Sequence, residues 1–176
     1  MSELIKTRIK GALRTVPDYP KLGVTFQDIT PVLRDAGLFK AAVDEMAAPF
    51  LRQGVTHVLA IEARGFILGG AIAAVLGAGF IPARKAGKLP WETVRKVFTL
   101  EYGDDTLEAH RDEFTEDSRI IVVDDVLATG GTAAAAADLV AQLNGRLVGY
   151  TFLLEILALK GRAALGSTPV YTVVEV

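Results

Sequence analysis

Three features of this sequence predict an α/β fold, an open parallel sheet flanked by helices. First, unbroken apolar runs rich in β-branched residues recur, the clearest being Ile120-Ile-Val-Val123. Such runs suit strands buried on both faces. Second, these runs alternate with segments of helical spacing or helix-favouring composition. Third, the strand-to-helix turns are short and carry glycine and small residues, as in Ala128-Thr-Gly-Gly-Thr132. That alternation is the pattern of βα units, whose crossovers are right-handed.

The totals narrow the class. A chain of 176 residues fits one domain with a sizeable core. Half the composition is hydrophobic, yet no run is long and apolar enough to span a bilayer. The opening Met1-Ser-Glu-Leu-Ile-Lys has no apolar signal core, which argues against secretion and for the cytoplasm. The absence of cysteine excludes disulfides, thiol catalysis and thiolate metal sites. A net charge of −2 gives no reason to expect nucleic-acid binding. The two histidines, His57 and His110, read as structural or surface residues.

In chain order, residues 3–13 place Leu4, Ile5, Ile9, Ala12 and Leu13 near helical spacing, a short amphipathic helix. Pro17-Asp-Tyr-Pro20 and Gly23 break it. A second amphipathic helix covers residues 38–51 and stops at Gln53-Gly54. A strand over 55–61, the loop Glu62-Ala-Arg-Gly65, a glycine-punctuated helix over 66–76 and a strand over 80–85 make one βαβ unit. Residues 91–114 are polar, mixed in charge and weakly periodic, and read as a β-rich flap with a mobile loop, the character of a lid. The central strand begins at 120–123 and ends in Asp124 and Asp125, a helix covers 133–143, and Asn144-Gly145 stops it. Residues 146–156 form another largely buried strand, Lys160-Gly-Arg162 ends a helical turn, and 170–176 close the sheet.

The central strand–loop–helix turn suits an anion. Glycines admit close backbone approach, the first helical amides lack internal partners, and the helix dipole favours negative charge. Thr129 and Thr132 add hydroxyl donors. Asp124 and Asp125, at the carboxyl end of a strand, can accept hydrogen bonds from vicinal hydroxyls. Phosphate donors beside sugar-hydroxyl acceptors describe a pentose-phosphate site. Arg64 in Glu62-Ala-Arg-Gly-Phe66 lies on the turn after the 55–61 strand, and Arg84, Lys85 and Lys88 form a basic turn.

Val122-Val-Asp-Asp-Val-Leu-Ala-Thr-Gly-Gly-Thr132 resembles the phosphoribosyl-diphosphate (PRPP) motif of the type I phosphoribosyltransferases. The resemblance runs from about Asp18 to the C-terminus and is greatest to the branch of that family acting on adenine. It implies the Rossmann-like fold of those enzymes, with a small N-terminal hood at about 1–34 and a flexible flap at about 85–114 of a single 1–176 domain. It implies transfer of phosphoribose from PRPP to adenine, giving AMP and diphosphate in purine salvage. The 5′-phosphate would lie on Ala128, Thr129, Gly130, Gly131 and Thr132, and the ribose hydroxyls on Asp124 and Asp125. The diphosphate would be held by Arg64, Arg84, Lys85 and Lys88, the last three within Arg84-Lys-Ala-Gly-Lys-Leu-Pro90. Gly23-Val-Thr-Phe-Gln-Asp-Ile-Thr30 resembles the hood and would set Phe26 against the purine, with Thr25 and Gln27 departing from the usual residues. Leu100-Glu-Tyr-Gly103 resembles the lid tip, with Glu101 near the base nitrogens and Tyr102 covering the site. Phe152-Leu-Leu-Glu-Ile-Leu-Ala-Leu-Lys-Gly-Arg162 resembles the family's C-terminal segment. Catalytic weight would fall on Glu101, Arg64 and Asp124. The resemblance also implies Mg²⁺ held through the diphosphate and waters with no direct protein ligand, and a homodimer in which a basic-turn residue reaches the partner's site. A strained or cis peptide at Ala63–Arg64 is a further expectation. The alternatives are another base (xanthine, hypoxanthine-guanine or orotate) and a PRPP-binding regulator without activity.

Overall fold

A computed structural model describes residues 3–100 and 103–176. Seven strands form one sheet in the order β5-β6-β4-β3-β7-β8-β9. Five of them, β4 (Gly79–Lys85), β3 (His57–Ile61), β7 (Arg119–Leu127), β8 (Arg146–Glu155) and β9 (Val170–Glu175), pair in parallel. The hairpin β5 (Thr93–Leu100) and β6 (Gly103–His110) continues the sheet antiparallel at one edge. A separate two-stranded ribbon pairs β1 (Arg14–Val16) with β2 (Phe26–Asp28).

The period-2 alternation of the strands sorts two cores. Val58 and Ala60 of β3 and Ile121 and Val123 of β7 face α1 (Glu3–Ala12), α2 (Thr30–Arg34), α3 (Ala36–Ala47) and α4 (Arg64–Leu76). Leu59, Ile61, Ile120 and Val122 face α5 (Gly131–Gln142) and the hairpin. All of these strand side chains are at most 2% exposed, so each valine, leucine and isoleucine among them contributes about 1.5–3 kcal/mol of burial. This two-sided burial is why the strands read as continuous apolar runs.

The chain leaves β3 toward β4 on one side, whereas β7 leads to β8 on the other. The sheet therefore changes direction between β3 and β7, and the crevice beyond their carboxyl ends is where open α/β sheets take ligands. Glu62-Ala-Arg64 follows β3 there, and residues 128–132 follow β7.

Three local expectations are corrected. The central strand does not stop at the acids but runs on to Leu127, because Asp124, Val126 and Leu127 keep their pairing with β8. The helix after it starts two residues early, at Gly131. The cis peptide lies at Glu62–Ala63 rather than Ala63–Arg64, since Ala63 is already helical in backbone and Arg64 opens α4.

Candidate active site

Asp124 stands at the meeting point of three cavities. One of about 620 Å³ is lined by Phe26, Arg64, Asp125, Ile156, Ala158 and Leu159, among others. A second, of about 440 Å³, is lined by Glu62, Arg64, Lys85, Asp105, Asp125 and Thr132, among others. The third, of about 60 Å³, lies within the residue 128–133 turn. Asp124 lines all three.

The small cavity is built by the β7–α5 turn. Gly130 has φ +85 and caps α5 from the left-handed region without a side-chain hydrogen bond, and the first residues of the helix line the cavity. An alanine Cβ at Gly130 would lie 2.3 Å from the Gly161 carbonyl oxygen. Thr129 is exposed and Thr132 half-buried, so both hydroxyls sit at the cavity's edge.

The acid pair occupies consecutive strand positions, yet both side chains line the two larger cavities. Asp125 is 4% exposed, and its Oδ2 lies 2.6 Å from Arg64 Nε, too bent for a hydrogen bond. Asp124 Oδ1 accepts the Asp125 amide at 2.8 Å. Burial, reinforced by the charge of Asp125, pushes the Asp124 carboxyl well above the usual carboxylate range. Gly65 is what lets α4 sit this close: a Cβ there would lie 2.9 Å from Asp124 Oδ1. Its tight approach is thus to β7.

Each cation expected to hold diphosphate carries a carboxylate partner. Arg84 Nε donates to Glu62 Oε2 at 2.9 Å, and Lys88 Nζ to Glu62 Oε1 at 2.6 Å. Lys85 Nζ lies 3.1 Å from Asp105 Oδ2. Burial works to raise the Glu62 carboxyl, but the Lys88 and Arg84 donors outweigh it and hold it below its ordinary value. Arg64 reaches away from this group, onto Asp125 and 5.0 Å from the Phe26 ring centroid. Tyr19 also packs on Phe26 in a T-shaped contact, with ring centroids 5.2 Å apart.

The structure therefore brings Phe26, Arg64, Asp124, Asp125 and residues 128–132 around one crevice, with Lys85 on its rim and Arg84 and Lys88 joined to it through Glu62. Thr25 and Gln27 also line the large cavity. Glu101 and Tyr102 lie outside the described residues. Sequence reasoning missed the counter-ions Glu62 and Asp105 and the apolar wall Ile156, Ala158 and Leu159. The wall falls inside a segment already matched to the family, but nothing local tells which of its apolar side chains face a ligand.

A family model for the phosphoribosyl transferase domain matches residues 32–163. The chain belongs to the phosphoribosyltransferase family. It is 54% identical to the adenine phosphoribosyltransferase of Myxococcus xanthus over 164 residues, 93% of this chain and 89% of that one. Its fold matches the adenine phosphoribosyltransferase of Rhodothermus marinus with a TM-score of 0.94, at 46% identity, over 98% of this chain and 99% of that one. The Saccharomyces cerevisiae adenine phosphoribosyltransferase, solved with adenine and D-2,5-dideoxy-2,5-imino-altritol 1,6-bisphosphate, gives 0.92 at 39% identity, over 97% and 99% of the two chains. The α/β class and the parallel sheet expected of such a phosphoribosyltransferase are the ones observed.

Proposed function

We propose that this phosphoribosyltransferase transfers the 5-phosphoribosyl group of PRPP to N9 of adenine, forming AMP and diphosphate. One observation carries the reading: an apolar cavity, a cation-rimmed cavity and the cavity of the helix-capping turn converge on Asp124. That is the arrangement a base, a diphosphate and a ribose 5-phosphate need around a single anomeric carbon.

In this reading adenine lies between Phe26 and the wall of Ile156, Ala158 and Leu159. The 5′-phosphate takes the amides and hydroxyls of Ala128, Thr129, Gly130, Gly131 and Thr132. Asp124 and Asp125 accept the ribose 2′- and 3′-hydroxyls. The diphosphate replaces the carboxylates now paired with Arg64, Arg84, Lys85 and Lys88, exchanging one anion for another. The bond from C1′ to the diphosphate oxygen breaks with its electron pair leaving on diphosphate, while the N9 lone pair forms the new bond and N9 gives up its proton. Positive charge developing on the sugar is stabilised by the adjacent carboxylates, and the reaction is accelerated chiefly by positioning. Glu101 takes the role of proton acceptor, with Tyr102 covering the site. Residues 1–34 serve as the hood and 85–114 as the lid that excludes water. Mg²⁺ suits a site offering acid oxygens beside an anion cavity; carried by diphosphate and water, it would neutralise the leaving group. The enzyme acts in the cytoplasm as a homodimer.

The test offers adenine, hypoxanthine, guanine, xanthine and orotate separately, each with PRPP and Mg²⁺. AMP from adenine alone is the expected result. Turnover of another base in preference would overturn the base assignment, and none at all with PRPP still bound would leave a binding protein.

A further inference from the structure

We infer that the Glu155–Arg162 pair is a positioning clamp that sets the base wall and the phosphate turn as one rigid unit. Glu155 ends β8 and is 2% exposed. Arg162 meets it as a fork: Nε lies 2.8 Å from Oε1 and 2.9 Å from Oε2, and Nη2 lies 2.6 Å from Oε2. Two further donors are also used, Nη1 on the Val170 carbonyl at 2.9 Å and Nη2 on Thr172 Oγ1 at 3.0 Å. One guanidinium therefore ties the 157–165 segment to both β8 and β9.

That segment has two faces toward the crevice. On one, Ile156, Ala158 and Leu159 line the large apolar cavity. On the other, its backbone presses against the phosphate turn at two reciprocal points. A Cβ at Gly161 would lie 2.2 Å from the Ala128 carbonyl oxygen, and one at Gly130 would lie 2.3 Å from the Gly161 carbonyl oxygen. Ala164 adds a third point, 2.9 Å from that same Gly130 position. The segment is made of two short 3-10 turns, Leu157–Leu159 and Gly161–Leu165, joined at Lys160 in a left-handed conformation. Turns this short have little stiffness of their own. Arg162 supplies it, while neither Arg162 nor Glu155 lines any of the three cavities.

Glu155 is buried while the Arg162 side chain is half-exposed, and such a pair is a weak device for stability, because desolvation of the carboxylate offsets much of the attraction. Its planar, multiply bonded geometry is a strong device for orientation. A lysine at 162 keeps the charge but makes one contact where arginine makes several. The clamp rests on the ligand placement proposed above, and it links base binding to PRPP binding through a residue that touches neither ligand.

Two variants test it, Arg162→Lys and the double variant Glu155→Gln/Arg162→Met, which removes both charges and leaves no buried carboxylate unpaired. Each is measured for thermal unfolding and for kcat and KM toward adenine and PRPP separately. In the expected result the double variant unfolds near the wild-type temperature. Both variants nevertheless lose about tenfold to a hundredfold in kcat/KM for each substrate, the scale of a misplacement of roughly 1 Å. Wild-type constants in the double variant would reduce the pair to a stabilising contact and overturn the clamp, as would a loss confined to one substrate. Failure of both variants to fold would make the pair a folding element and also overturn it. Phe26→Ala and Asp125→Asn are the controls for the placement. If they weaken adenine and PRPP binding while Arg162→Lys is silent, only the clamp fails; if they too are silent, the placement itself fails.

Discussion

Asp124 is the residue on which stability and function pull in opposite directions. Its carboxyl is crowded by burial first and by Asp125 second, so it holds its proton more tightly folded than unfolded. Such a group favours folding below its ordinary value of 3.8, and that contribution is lost as pH rises through the raised one. Wherever the carboxyl is ionised in the folded protein its charge is held at a cost, which fits a carboxylate kept for a ligand hydroxyl. Asp124→Asn is therefore expected to stabilise the unliganded protein by roughly 1 kcal/mol at neutral pH. Urea unfolding from pH 4 to 8 should show that gain growing with pH, while kcat/KM for PRPP falls at least about tenfold. A variant both less stable and fully active would be the opposite outcome. Gly130 is constrained twice over, by φ +85 and by the Gly161 carbonyl. Gly130→Ala should lose about 2 kcal/mol or more in denaturant unfolding and weaken PRPP binding measured by calorimetry. A wild-type unfolding midpoint would mean that the turn yields.

Among the elements, the basic turn and the β5–β6 hairpin are held together by Glu108. This carboxylate is fully buried, and its Oε1 accepts the backbone amides of Lys88 at 3.1 Å and Leu89 at 3.2 Å. Its Oε2 takes Arg95 Nε at 3.0 Å and Thr93 Oγ1 at 3.3 Å. Burial alone would raise the carboxyl, but the Leu89 and Lys88 amides and the charge of Arg95 hold it below its ordinary value of 4.5. Its stabilisation is present above that value and lost as pH falls through the lowered one. Glu108→Gln should cost about 1.5–3 kcal/mol, the worth of charged hydrogen bonds at a buried site. Because the Lys88 amide loses its anchor, the KM for PRPP should rise more than that for adenine. Equal effects on both substrates would show that Glu108 does not act through this turn.

For the whole molecule, α4 is the element that does not look finished in a single chain. After Arg64 its sequence is uncharged and almost wholly apolar, a composition suited to burial all round. Yet Ile67 is 49% exposed and Val75 is 45% exposed, and Gly70, Ala71 and Ala74 complete the same i, i+3, i+4, i+7, i+8 stripe. A second copy of the chain is the occupant expected there. Sedimentation should give a dimer for the wild type, and Ile67→Glu should shift it toward monomer. A wild-type monomer at micromolar concentration would rule the stripe out as that interface. No helix among the described residues is long and apolar enough to cross a membrane.

The sequence by itself determined the class of the sheet and the residue types offered by each turn. Ile120-Ile-Val-Val123 announced a strand buried on both faces, and Gly130-Gly131 announced the tight turn after it, because both signals are local in the chain. Nearest neighbours in sequence, however, carry no information about partners distant in the chain. Only the tertiary structure decided that Arg84 and Lys88 share Glu62, that Asp124 lies beneath Gly65, and that Gly161 meets Ala128. The strand end was misjudged for the same reason: Asp124 and Asp125 look like a terminus, but pairing with β8 carries the strand to Leu127. Hydrogen bonding along a sheet is a property of two segments at once, and it overrode the local preference of two acids.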